Sequence, residues 1–112
     1  MQHQMKLSAE PFGKIAQKEK VIESRLCDEK RQQIALGDEI IFSENDHPKN
    51  MVHTKVVGLL RYSSFKQLFA DHEPSLLGGE NRDFLLNQIK QFYSDEDEQK
   101  YGVVGIRIAV ID

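Results

Sequence analysis

The stretch Lys18-Glu19-Lys20-Val21-Ile22-Glu23-Ser24-Arg25-Leu26-Cys27-Asp28-Glu29-Lys30-Arg31 decides how the rest of the chain is read. Dense charge surrounds a short core of strand-forming residues. If residues 21–26 are extended, successive side chains point to opposite faces. Ile22, Ser24 and Leu26 then share one face, and Val21, Glu23 and Arg25 share the other. A carboxylate and a guanidinium stand side by side, with Lys20 at the strand's entrance. Such a surface is either a recognition site or a solvated strand face, where an exposed Glu–Arg pair contributes roughly 0–1 kcal/mol.

The charge is uneven around this stretch. Residues 14–31 carry six cations against four carboxylates, a local +2, which leaves −5 for the remainder of a chain whose net charge is −3. Binders of long duplex nucleic acid usually present a basic domain. A basic patch on an acidic protein suits a small anionic ligand or a short single strand better.

Working outward, residues 4–8 place Met5 and Leu7 on one face of a half-buried strand. Pro11 fits the first turn of a helix. Phe12, Ile15 and Ala16 make an i, i+3, i+4 stripe that runs to about residue 17 or 19. Gly37-Asp38 is a turn signal, followed by a strand over 39–43 with Ile40 and Phe42 alternating against Ile41. Residues 45–50, polar and containing Pro48, read as a hairpin loop. Residues 51–62 are the longest strand, where Gly58 marks a bulge or bend. Ser64 and Gln67 have the capping-box form ahead of a short helix burying Phe65, Leu68 and Phe69. Leu76-Leu77-Gly78-Gly79 reads as a flexible loop, its two glycines giving unusual backbone freedom. The spacing of Leu85, Leu86, Ile89, Phe92 and Tyr93 predicts a helix over 80–93 with all five inward. Ser94 caps another short helix whose acidic first turn suits a helix N-terminus. Residues 103–111 close the chain as a strand, with Val104, Ile106, Ile108 and Val110 on one face and Arg107 pointing the other way.

With 112 residues, 39% hydrophobic and 29% charged, the chain suits one globular α+β domain over residues 1–112, with about five strands and three or four helices. No apolar run reaches the roughly 20 residues that span a bilayer. Residues 1–6 lack the apolar core of a signal peptide, and Cys27 is the only cysteine, so the expectation is a cytoplasmic protein with a reduced thiol. His3, His47, His53 and His72 show no ligand spacing, which argues against a metal site. No dinucleotide, P-loop or nucleophile-elbow motif is present, so no cofactor is expected.

The run Lys20-Val21-Ile22-Glu23-Ser24-Arg25 resembles the GxKxxExR signature of the ASCH (activating signal cointegrator homology) domain family. Pro11-Phe12, Leu26 to Arg31, Gly37-Asp38-Glu39-Ile40-Ile41-Phe42, Phe92-Tyr93-Ser94 and Tyr101-Gly102-Val103-Val104-Gly105-Ile106 follow the family's order, so the resemblance covers nearly the whole chain. It looks most like small bacterial stand-alone members. The resemblance implies a PUA-like fold: a small β-barrel with flanking helices and a cleft between them, lined by the signature. It also implies a partner that is single-stranded RNA or a nucleotide or nucleoside. Lys20 and Arg25 would meet phosphate or carbonyl groups, Glu23 would accept from base amino groups or hold Arg25 in place, and Tyr93 or Tyr101 would stack on a base. Asp28 and Lys30, in the same charged stretch, join the candidate ligand-binding set. A monomer is the default.

Two departures stand out. The signature's glycine corresponds to Lys18, which predicts an ordinary turn in place of a tight one. Some ASCH proteins are amidohydrolases on acetylated cytidine, using a lysine that matches Lys20, a threonine and a glutamate. Their threonine falls at Glu23, which cannot supply a hydroxyl nucleophile. Ser24 is adjacent but on the opposite strand face, and Glu80 and Asp83 are only the nearest candidates for the glutamate. Binding is therefore the leading expectation. A hydrolase acting on a modified nucleoside or on single-stranded RNA is the alternative, with Lys20 and Glu23 as its candidate catalytic groups.

Overall fold

Met5 and Leu7 alternate with polar residues, and β1 (Gln2–Leu7) buries those two. The computed structural model describes residues 1–111. Helix α1 (Ala9–Ala16) carries Pro11 in its first turn and buries Phe12 and Ile15. Ala16, expected to be part of the buried stripe, is exposed, because the helix ends there and the chain turns away. The strand β2 (Ile22–Leu26) follows, then a 3₁₀ turn at Arg31–Gln33, β3 (Glu39–Glu44) and the long β4 (His47–Tyr62). Helix α2 (Phe65–Ala70), a second 3₁₀ turn at Pro74–Leu77, helices α3 (Arg82–Ile89) and α4 (Asp95–Tyr101), and β5 (Val103–Val110) complete the order.

The sheet runs β1-β3-β4-β5-β2. Only β1 and β3 are parallel; the other pairs are antiparallel. It curls into a half-barrel around Met5, Leu7, Ile40, Phe42, Val56, Val104 and Ile106, with α1 packing Phe12 and Ile15 into the same core. A second core of Ile22, Phe65, Leu68, Phe69, Leu77, Leu85 and Val103 joins α2, α3 and the second 3₁₀ turn to the sheet's other face. Val103 and Val104 thus enter different cores, as strand alternation requires. The edge strands are β1 and β2, the two ends of the curl.

Three expectations need correction. The hairpin connection is Asn45-Asp46 alone, and β4 already begins at His47. Pro48 is tolerated because Glu44 pairs with His47 while Ser43 pairs with Met51, so Pro48 lies in a bulge where no ladder bond is needed. Residues 80–93 are not one helix: Asn81 caps α3 by accepting from Phe84 N at 2.8 Å, the helix stops at Ile89, and Phe92 turns outward, 75% exposed. The leucines before Gly78 form the second 3₁₀ turn instead of a loop. The bulge at Gly58 is present: the β4–β5 register shifts between Val56 and Gly58, and a Cβ on Gly58 would lie 2.9 Å from Arg107 Cβ. No helix among the described residues is long and apolar enough to cross a membrane.

Candidate functional site

The turn that feeds β2 is tighter than its sequence suggests. Lys18 takes φ +66°, the left-handed conformation glycine prefers. Lys18 N donates to Ile15 O at 3.0 Å and Glu19 N to Lys14 O at 2.9 Å, the paired bonds of a Schellman C-cap. The expected ordinary turn is corrected: the left-handed turn is kept, and only its residue type differs. Val21 N then donates to Leu76 O at 2.9 Å, fixing the entrance of β2 against the second 3₁₀ turn.

This turn places the Lys20 side chain over Glu23. Lys20 Nζ lies 2.7 Å from Glu23 Oε1, and Arg25 Nε lies 2.7 Å from Oε2. Each carboxylate oxygen therefore holds one cation. The Glu23 side chain is 3% exposed, against 10% for Lys20 and 15% for Arg25. Burial alone would raise the Glu23 pKa, but the Lys20 and Arg25 charges and their hydrogen bonds outweigh it, and the net shift is downward. Burial likewise disfavours the Arg25 charge, and Glu23, with Tyr93 behind it, reverses the sign, so its pKa is raised. The three groups form a fixed charged unit with one buried anion.

The unit lies in a cleft of about 450 Å³ that follows the outer edge of β2. Lys6, Leu7, Ser8, Pro11 and Asn45 face it from the β1 side, and Phe69, Leu77, Leu85, Ile89 and Tyr93 from the helical side. Arg25 Nη2 reaches Lys6 O at 3.4 Å across the gap. The cleft thus occupies the seam where the half-barrel fails to close. Its charged lining is Lys6, Lys20 and Arg25 against Glu23 alone.

The ASCH domain model matches residues 5–112. The chain belongs to the ASCH domain family. Hypothetical protein PH0355, known from a crystal structure, is 38% identical over 99% of this chain and 100% of its own, with a TM-score of 0.87. Protein PF0455 from Pyrococcus furiosus, solved by NMR, is 32% identical over 100% of this chain and 99% of its own, with a TM-score of 0.79. The ASCH domain from Lactobacillus crispatus JV V101 shares the fold, with a TM-score of 0.67 at 16% identity over 97% of this chain and 79% of its own. No functionally curated protein matches.

In this ASCH domain the curled sheet brings Lys20, Glu23, Arg25 and Tyr93 into one cleft. Tyr93 stacks on Phe65 with centroids 5.7 Å apart and planes at 16°, which fixes the ring. Three other sequence candidates lie outside the cleft. Asp28 Oδ2 pairs with Arg31 Nη1 at 2.8 Å and Asp28 Oδ1 accepts from Arg31 N at 3.1 Å, so it braces the first 3₁₀ turn. Lys30 is exposed at the start of that turn, and Tyr101 sits at the end of α4 with Lys100 Nζ 4.9 Å from its ring centre.

Several lining residues carry no reading as site residues in the sequence: Lys6, Asn45, Gln88, Gln91 and Phe92. They come from β1, a turn and the end of α3, and only the curl of the sheet brings them to β2; no local pattern signals it. Ser24 was expected to face away. It pairs with Gly105 and yet lines the cleft, because the cleft runs along the strand's edge and not over one face. Gly78-Gly79 is packed, not a free loop: Gly78 has φ +89°, and a Cβ there would lie 2.7 Å from Lys20 Cδ. Among the described residues no group of three or more His, Cys, Asp or Glu side chains is placed to hold a metal ion.

Proposed function

We propose that this ASCH domain binds single-stranded RNA or a nucleotide in the seam cleft, acting in the cytoplasm, with Lys20 and Arg25 as the anion-contacting groups and Glu23 as the anchor that orients both. ASCH domains are RNA-binding in general, which gives the reading its class. The observation that carries it here is the buried Glu23 carboxylate holding one cation on each oxygen, 2.7 Å from both, at the floor of the cleft. A buried carboxylate with two partners leaves a net positive floor, and a guanidinium whose Nε is held still presents its Nη groups to an anion. The exposed Phe92 ring and the amides of Gln88, Gln91 and Asn45 add a stacking surface and polar contacts.

The hydrolase alternative draws less support. Lys20 Nζ is engaged by Glu23, and the position of the hydrolases' threonine is filled by that buried carboxylate. The test is a titration of short single-stranded RNAs and mononucleotides into wild type, Lys20→Ala and Arg25→Ala. Affinity should fall about ten-fold or more in each variant, as expected for losing a charge-assisted contact. Equal affinity of all three proteins overturns the reading.

A further inference from the structure

A cleft lined by residues from both faces of one strand must run along that strand's edge, and here Glu23 and Arg25 come from one face of β2 and Ser24 from the other. The open main-chain groups of that edge follow from the ladder. Val21 O accepts from Ile108 N and Cys27 N donates to Gly102 O, so the alternation assigns the main chain of residues 23 and 25, with Val21 O and Cys27 N at either end, to β5. Gly105, opposite Ser24, is also paired with Leu60 on its other side. The N–H and C=O of Ser24 therefore point away from the sheet, into the cleft. Among the described residues no side chain or loop bonds to them.

An unpaired N–H and C=O on one extended residue present a donor and an acceptor side by side. An extended peptide would need a row of such positions to add a strand. Here the neighbouring edge residues Ile22 and Leu26 are buried and do not line the cleft, so the opening is one residue long. Adjacent donor and acceptor atoms at the edge of a single planar ring match it. The volume, about 450 Å³, lies in the range that suits one small-molecule occupant.

We infer that the cleft seats one unstacked nucleobase, whose hydrogen-bonding edge is read by the Ser24 main chain while its sugar-phosphate meets the Lys6, Lys20 and Arg25 cations. This rests on the RNA-binding reading above and narrows it: the protein recognises a base edge, not only phosphate.

Five-nucleotide homopolymers of each base, titrated into the wild-type protein, give the parent affinity. The tightest is then compared with versions carrying a methyl on the Watson–Crick ring nitrogen, or no base at all. Each modified strand should bind about ten-fold or more weakly. Ser24→Pro, which takes away the N–H the sheet does not use together with the hydroxyl and also fixes φ, should lose a similar factor or more. The unmodified-protein arms decide the matter even if Ser24→Pro fails to fold. Binding of the methylated or base-free strand within two-fold of its parent overturns the base-edge inference and leaves phosphate binding standing. Failure of every pentamer to bind overturns the RNA-binding reading itself, and this inference with it.

Discussion

Arg25 Nη2 lies 3.4 Å from the main-chain oxygen of Lys6, so a single side chain joins the two edge strands that the sheet itself leaves apart. The same guanidinium is held from behind by Glu23. Arg25 is therefore both the clasp of the seam and a lining group of the cleft. Lysine at this position keeps the charge but has neither the Nε contact nor the reach of the fork. Arg25→Lys should quicken amide hydrogen exchange in β1 (Gln2–Leu7) by a few-fold while leaving β4 unchanged. Uniformly faster exchange in every strand would show instead that Arg25 supports global stability and not the seam.

Glu23 has a larger effect on stability. Removing a buried carboxylate leaves Lys20 and Arg25 in place with no counter-charge, and breaking such an ion pair typically costs roughly 3–5 kcal/mol. Lys20 and Arg25 keep some solvent contact, so Glu23→Ala should fall near the lower end, about 3 kcal/mol, as a drop in the urea midpoint at unchanged m-value. Replacing the whole unit with Lys20→Met, Glu23→Leu and Arg25→Met should restore most of that loss, since well-packed apolar groups often match a buried ion network. RNA binding should not return. Recovery of stability without binding would identify the charges as functional in purpose; no recovery would make them part of the fold's support.

The sequence made the strands and their inward residues legible because period-two alternation is local: Met5 and Leu7, Ile40 and Phe42, and Val104, Ile106 and Ile108 are all buried as expected. The family signature pointed to the Lys20, Glu23 and Arg25 group before any geometry was known. Three kinds of feature stayed hidden. The left-handed turn at Lys18 lacks the glycine that would announce it, and is fixed by hydrogen bonds to Lys14 and Ile15. Phe92 fits a helical stripe by spacing, yet α3 ends at Ile89 and frees it to the surface. The role of Ser24 depends on which side of β2 has a neighbour, and only strand order supplies that.

Two carboxylates with lowered pKa values, Asp38 and Glu23, should shape the acid limb of stability. The Asp38 pKa is lowered from 3.8 to about 2, chiefly by the hydrogen bond from His3, then by Ala35 N–H, with the amino group of Met1 adding to both. Glu23 is also lowered from 4.5. In each case the unfolded chain binds protons more readily, so both contributions are fully present above the unfolded pKa values and fade as pH falls through the folded ones. The urea midpoint should therefore hold steady down to about pH 5 and then fall steadily toward pH 2. Asp38→Asn should flatten the part between pH 3.8 and about 2, the interval set by its two pKa values. An unaltered limb in that variant would remove Asp38 from the account.

Lys18 stores strain that can be measured by difference. A non-glycine residue in the left-handed region costs roughly 1–2 kcal/mol. Lys18→Ala removes the side chain and its contacts but keeps the strain; Lys18→Gly removes both. The glycine variant should be the more stable of the two by about 1 kcal/mol, near 4 °C in melting temperature for a domain of this size. Equal melting points would mean that the turn relaxes in solution.

Gly78 is coupled to Lys20 by contact. A Cβ at Gly78 would meet Lys20 Cδ at 2.7 Å, and its φ of +89° disfavours any side chain there. Gly78→Ala should thus combine a backbone cost with displacement of the lysine stem that positions Nζ on Glu23, for a total of about 2–3 kcal/mol. The two parts separate in a double-mutant cycle. In the Lys20→Ala background the steric part vanishes and only the backbone part, roughly 1–2 kcal/mol, should remain. RNA affinity should fall in Gly78→Ala alone and fall no further when it is added to Lys20→Ala. Additive losses in both stability and affinity would show that Gly78 acts on the cleft by some route other than the lysine that lies against it.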